Sequence, residues 1–178
     1  MNNSALRVKL NAIADKNNTA FAELYNELKT PIYTIINRIV WDRQASQDIM
    51  QEVFLKLYLS PPSPSIKNPR AYIFQMARNL AIDNTRKALQ SQQYLSLDSP
   101  EIENTAHSPS DDLPLRMDTR IDIESALKRI TAPECQIVTL HLIGELKFRE
   151  IAEIMSMPLG TVLWRYQKAI EKLRKLLS

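Results

Sequence analysis

At 178 residues the chain can hold one or two small domains, and its formal net charge of +3 is modest. One cysteine, Cys135, excludes an internal disulfide and a multi-cysteine zinc site, and two glycines, Gly144 and Gly160, exclude Gly-rich phosphate loops. No apolar run approaches membrane-span length and MNNSALRVKLN lacks a signal-peptide core, so a cytoplasmic protein with no membrane insertion is expected.

Charge is distributed unevenly. Residues 1–90 carry 12 basic and 7 acidic side chains, residues 91–118 carry 1 and 6, and residues 119–178 carry 10 and 7. Two basic blocks around an acidic connector suit a polyanionic partner. Scarce glycine, few alternating β-branched runs and abundant Leu, Ile, Ala, Lys and Glu point to an all-α chain.

In chain order, Ser4 to Lys16 reads as a short amphipathic helix with Leu6, Leu10, Ile13 and Ala14 inward. Asn17-Asn18-Thr19 offers capping side chains for a helix over 20–29 that buries Phe21, Leu24, Tyr25 and Leu28. Thr30-Pro31 repeats the start signal, predicting a separate apolar helix with Ile32, Ile35, Ile36, Ile39 and Val40. A fourth helix runs from about Ser46 to Leu59, with Ile49, Val53 and Leu57 inward and Asp48, Gln51, Glu52 and Lys56 toward solvent. The proline-rich stretch 60–65 reads as a loop. Asn68-Pro69 starts a long helix through Lys87 or beyond, with Tyr72, Ile73, Met76, Ala77, Leu80 and Ala81 as its buried stripe.

Periodicity disappears from about Gln92 to Asp118, where Ser, Pro, Asp and Glu dominate, and a flexible linker is expected. A helix over 120–130 should bury Ile123, Ala126, Leu127 and Ile130. Thr131-Ala132-Pro133-Glu134 is a capping box opening a helix that buries Ile137, Val138, Leu140 and His141, with Gly144 as its C′ residue. His141, on an apolar face, reads as a core histidine. Phe148 to Lys175 then reads as two helices around the break Ser156-Met157-Pro158. The second carries Val162, Tyr166, Ala169, Ile170, Leu173 and Leu177 on one face and Thr161, Trp164, Lys168, Glu171 and Lys175 on the other. A short helix, a sharp turn and a longer helix with a basic outer face form a helix-turn-helix pattern.

The expected fold is therefore all-α: two small helical domains joined by a flexible linker, the C-terminal one a helix-turn-helix. The boundaries are 1–90, 91–118 and 119–178. No metal-ligand spacing and no nucleophile motif occurs, so neither a cofactor nor a catalytic activity is expected.

Several linked segments resemble one family. FAELYNELKTPIYTIINRI with QDIMQEVFLKLY, then YIFQMARNLAIDNTRK, then TAPECQIVTLHLI, FREIAEIMSMPLGTV and AIEKLRK together resemble a sigma-70-family RNA polymerase sigma factor of the small extracytoplasmic-function type. The resemblance implies that Asp48, Gln51, Glu52 and Phe54 meet the β′ clamp helices of core RNA polymerase, with the β flap as a further contact. It implies that Arg70, Tyr72, Arg78, Asn79, Asp83, Arg86 and Lys87 melt and read the −10 element, beside a base-receiving loop over 60–68. It implies that Arg149, Gly160, Thr161, Leu163, Trp164, Arg165 and Lys168 dock at the −35 element of promoter DNA. An anti-sigma factor is left open as a third partner. The sequence departs from the pattern at Ser46-Gln47, at Tyr72, and most at Leu163-Trp164, where a basic and a small polar residue are usual. Two other readings stay open: a helix-turn-helix activator or repressor, and a helical protein–protein adaptor without a DNA role.

Overall fold

The computed structural model describes residues 3–63, 65–95 and 117–177. Among them are eight helices and no strand: α1 (Asn3–Ala14), α2 (Asn18–Val40), α3 (Arg43–Leu59), α4 (Pro69–Leu95), α5 (Met117–Lys128), α6 (Ala132–Leu142), α7 (Phe148–Met155) and α8 (Leu159–Leu177). Most of the expected acidic linker lies outside the described residues. At its edges α4 continues to Leu95 and α5 begins at Met117.

α1 buries Leu6, Leu10 and Ile13 against α2 and α4, while Ala14, expected on that stripe, is exposed at the helix end. The two helices expected around Thr30-Pro31 are one, α2, capped by Asn17, whose Oδ1 accepts from Ala20 N at 3.0 Å. Pro31 lacks an N–H, and an interior proline costs about 3 kcal/mol. The helix runs through because Leu24, Leu28, Ile32, Ile35 and Ile36 continue one stripe across it, and all are buried. A break at 30 would turn half of that stripe from the core, and each such side chain stabilises by about 1.5–3 kcal/mol when buried. α3 starts three residues earlier than expected. Asp42 caps it, Oδ1 accepting from Ala45 N at 2.6 Å.

In α4 the buried stripe is Ile73, Phe74, Ala77 and Ala81, joined by Arg70. Tyr72, Met76 and Leu80, expected inside, are half-buried. In the second half Ile123, in the middle of α5, and Leu177, at the end of α8, also expected inside, are exposed. His141, also expected inside, is half-buried, stacked on Phe148 at 4.2 Å with Nδ1 2.9 Å from the Leu146 carbonyl.

α6 is buried on more than one face. Ile137 and Leu140 join the large core shared with α1–α4, whereas Cys135 and Val138 pack with Ile130 and Ala169. A helix apolar all round sits between neighbours, and α6 has α2 on one side and α8 on the other. The two halves therefore share a core, which also takes in Leu146, Ile151 and Val162. Burial pushes the Cys135 thiol above its ordinary range, so it packs as a small apolar group. Burial opposes ionisation of Glu134, but hydrogen bonds from Lys172 (2.8 and 2.9 Å) and from Thr131 N (2.9 Å) outweigh it and hold the carboxyl below its ordinary value.

Gly144 directly follows the C-cap Ile143, the C′ position expected of it, but without the left-handed backbone common there; Glu145 takes that conformation instead, at φ 53°. Glycine is required by close approach, because a Cβ there would lie 2.5 Å from the Leu140 carbonyl oxygen. Gly144→Ala should lower stability by about 1–3 kcal/mol, the usual cost of overpacking. Denaturant unfolding measures it, and an unchanged midpoint would mean that the turn shifts freely.

Candidate nucleic-acid and partner interface

The polar face of α3 presents Asp48, Gln51 and Glu52 together, all exposed and spaced i, i+3, i+4. Their local partners lie within the same helix: Gln44 Nε2 donates to Asp48 at 3.2 Å, and Lys56 stands 3.3 Å from Glu52. Phe54 does not share this face. It is 3% exposed, with its ring 6.3 Å from Phe21 and 4.7 Å from Tyr25. An inward aromatic at that position belongs to the core, so Phe54 stands apart from the exposed polar face of α3. Phe54 forms the floor of an open apolar groove lined by Phe21, Tyr25, Leu55 and Tyr58. Leu55 is 56% exposed at the rim, on the same side as Gln51 and Glu52. Sequence reading missed Leu55, although an apolar residue three positions after Glu52 on a polar face was a visible signal.

The expected cations of α4 divide between two faces. At 100° per residue, Tyr72, Asn79, Asp83 and Arg86 fall within about 60° of one another. Asn79, Arg86 and Lys87 are exposed, while Tyr72 and Asp83 are half-buried. Asp83 pairs with Arg86 at 3.1 Å. Gln75, exposed and lying between Tyr72 and Asn79 on this face, was not anticipated. Arg70 and Arg78 are elsewhere. Arg70 is 8% exposed; its Nε donates to the Gly144 carbonyl at 2.6 Å and its Nη2 lies 3.1 Å from Glu145. Arg78 Nε donates to Gln136 Oε1 at 3.0 Å, and burial pushes its guanidinium below the ordinary value. Both arginines, expected on DNA, hold the C-terminal half instead. The reason is position: Arg70 shares the stripe of Phe74, Ala77 and Ala81, and Arg78 flanks it, on the side that α6 and α7 cover.

Two further ties span this junction. Asn68, whose Oδ1 caps α4 through Ala71 N at 3.0 Å, donates its amide to Glu150 at the start of α7. Arg38 stands 3.5 Å from Glu124 of α5.

The helix-turn-helix forms as expected. Ser156 ends α7 in the left-handed conformation, φ 52°, and α8 starts just after Pro158. Arg149 is exposed on the first turn of α7. On α8, Gly160, Leu163, Trp164 and Lys168 are exposed, and Thr161 and Arg165 half-buried. Trp164 is 54% exposed, with Lys168 Nζ 5.3 Å from its ring centre. No helix among the described residues is long and apolar enough to cross a membrane.

Family models match both halves: Sigma-70 region 2 over residues 24–90 and Sigma-70 region 4 over residues 126–175, together more than half of the chain. The chain is 26% identical over 179 residues to the ECF RNA polymerase sigma factor SigW of Bacillus subtilis, covering 96% of this chain and 95% of that protein. It is likewise 26% identical over 178 residues to SigK of Mycobacterium tuberculosis, covering 98% and 95%. Among solved structures its fold is similar to the sigma factor RpoE in complex with the anti-sigma factor NepR from Bartonella quintana, with TM-score 0.64, 20% identity and 87% of this chain and 96% of that chain covered. It is also similar to CnrH in complex with the cytosolic domain of CnrY, with TM-score 0.66, 18% identity and 97% of both chains covered. Two region models in the family's order, on an all-α fold with a helix-turn-helix at its C-terminal end, make the chain a member of the sigma-70 family of RNA polymerase sigma factors, of the extracytoplasmic-function type.

Proposed function

We propose that the chain directs core RNA polymerase to promoters through three surfaces. α3 meets the β′ clamp helices with Asp48, Gln51 and Glu52, and Leu55 and the groove above Phe54 take an apolar side chain of the partner. The outer face of α4, with Tyr72, Gln75, Asn79, Asp83, Arg86 and Lys87, takes the −10 element as its strands separate. Its cations contact phosphate, and Tyr72 stacks on an unpaired base. The loop over 60–68 receives that base. α8 enters the major groove at −35 with Leu163, Trp164, Arg165 and Lys168 in reach of base edges, while Arg149 and the helix start at Gly160-Thr161 meet phosphates. The β flap touches the second half.

The observation that carries this reading is the pairing of region 2 and region 4 matches in one chain. A repressor has no need of the first. The factor acts in the cytoplasm, carries no catalytic activity of its own, and leaves chemistry to the polymerase. Reconstitution with core RNA polymerase on promoter fragments selected from a random library tests it. Run-off transcripts that need both proteins are expected. DNA binding without association with core would favour a repressor, and neither activity an adaptor.

Trp164 supports a second partner. So large an apolar ring is normally hidden, and tryptophan is enriched in protein interfaces. RpoE and CnrH are each held by another chain in the structures named above. An anti-sigma factor would cover this face of α8 until the factor is released to DNA. Trp164→Ala should change thermal stability by less than about 1 kcal/mol, as for surface positions without packing. Binding to −35 duplex then assigns the ring: lost sequence discrimination puts it in the groove, and unchanged binding leaves the protein partner. A large loss of stability would sink both.

A further inference from the structure

The matched region 2 begins at residue 24, so α1 lies outside it. Yet α1 is firmly built in. Leu6 and Ile13 are fully buried and Leu10 nearly so, packed with α2 and α4. Its polar side reaches the segment that leads into α4. Arg7 Nη2 donates to the Ile66 carbonyl at 2.9 Å and to the Lys67 carbonyl at 3.2 Å. Asn3 Oδ1 accepts from Arg70 N at 3.2 Å.

These contacts fall where the backbone has few others. The first N–H groups of a helix have no partner within it. Asn68 satisfies the one on Ala71, and Asn3 that on Arg70. Ile66 and Lys67 precede α4 in irregular chain, where no helix or strand engages their carbonyls. A guanidinium is a planar donor that can hold two acceptors at once. By taking two successive carbonyls it fixes the peptide planes on either side of Lys67. A pocket that receives one base and rejects others needs its lining held to within about 0.5 Å, so its support matters as much as its contact residues.

We infer that α1 is a splint for the −10-reading loop, and that Arg7 is a positioning residue for promoter specificity although it touches no DNA. This rests on the assignment of residues 60–68 to base reading. Arg7 sets how sharply the loop discriminates, not whether the protein binds polymerase or the −35 element.

The test uses the full chain with core RNA polymerase and a promoter library randomised across the −10 element. Arg7→Met keeps the aliphatic stem and removes the donors. Its preference between the best and worst −10 bases should fall by about fivefold, since only part of the lost hydrogen-bond energy reaches the bases through the loop. Affinity for core and for −35 duplex should stay within about twofold, as for a change remote from both surfaces. Arg7→Lys should restore part of the preference, since an ammonium can serve one carbonyl. Undiminished base preference in Arg7→Met overturns the inference, and so does an equal loss on every library member, which would mark a merely structural role. Ile66→Ala and Lys67→Ala separate the two layers. If they flatten the preference while Arg7→Met does not, only the splint falls. If none of the three flattens it, the loop assignment falls as well.

Discussion

Reversing charge at Asp48 and Glu52 together should weaken binding to core RNA polymerase by about a hundredfold or more, on the scale of about 2–5 kcal/mol per hydrogen-bonded charge lost from an interface. The fold should survive. Neither side chain supports the core, and among the described residues each has a local partner on α3, in Gln44 and Lys56. Losing such i,i+4 pairs costs only about 0.3–0.5 kcal/mol each. Circular dichroism should therefore be unchanged while fluorescence anisotropy with labelled core shows the loss. Undiminished affinity would mean that this is a solvated helix face and that the polymerase grips another surface.

Placing like charge against the two inward arginines should open the molecule. Gln136→Arg faces Arg78, and Glu145→Arg faces Arg70. Like charges brought together across an interface cost several kcal/mol. The native ties are individually modest: the Glu145 carboxylate is largely solvated, so that pair contributes little, and a charged donor to a carbonyl stabilises by about 1.5–3 kcal/mol. Small-angle scattering of the double variant should give a larger radius of gyration. Its affinity for single-stranded −10 DNA should rise by about tenfold or more and fall steeply with salt, because freed arginines add phosphate contacts. An unchanged radius would show that the shared apolar core alone keeps the halves together. A larger radius without tighter DNA binding would show that Arg70 and Arg78 serve only the junction between the halves.

Much of this molecule was legible in the chain of amino acids, because it rests on local rules. Helical periodicity located the apolar stripe of α1, the capping box at Thr131 and the turn at Pro158. Charge alternation along α3 marked an exposed acidic face, since three polar residues at i, i+3 and i+4 share a side wherever the helix packs. Trp164 stood out as an apolar side chain on the outer face of α8, and it is exposed there.

Other features depend on which surfaces meet, and no local rule states that. Thr30-Pro31 carries a helix-start signal, yet burial of one continuous stripe through Ile36 outweighs the missing hydrogen bond. Phe54 looks equally suited to core or interface until Phe21 and Tyr25 close around it. Arg70 and Arg78 read as phosphate-binding cations from their type alone. Their partners, Gly144, Glu145 and Gln136, lie 58 or more positions away. The sequence by itself determined where the helices lie and which faces carry charge, because both follow from spacing within a few residues. Only the tertiary structure decided that α6 is shared between two halves and that two arginines point away from the exposed face. The physical reason is that burying an apolar helix all round, and pairing the cations beside it, requires surfaces brought together from distant parts of the chain.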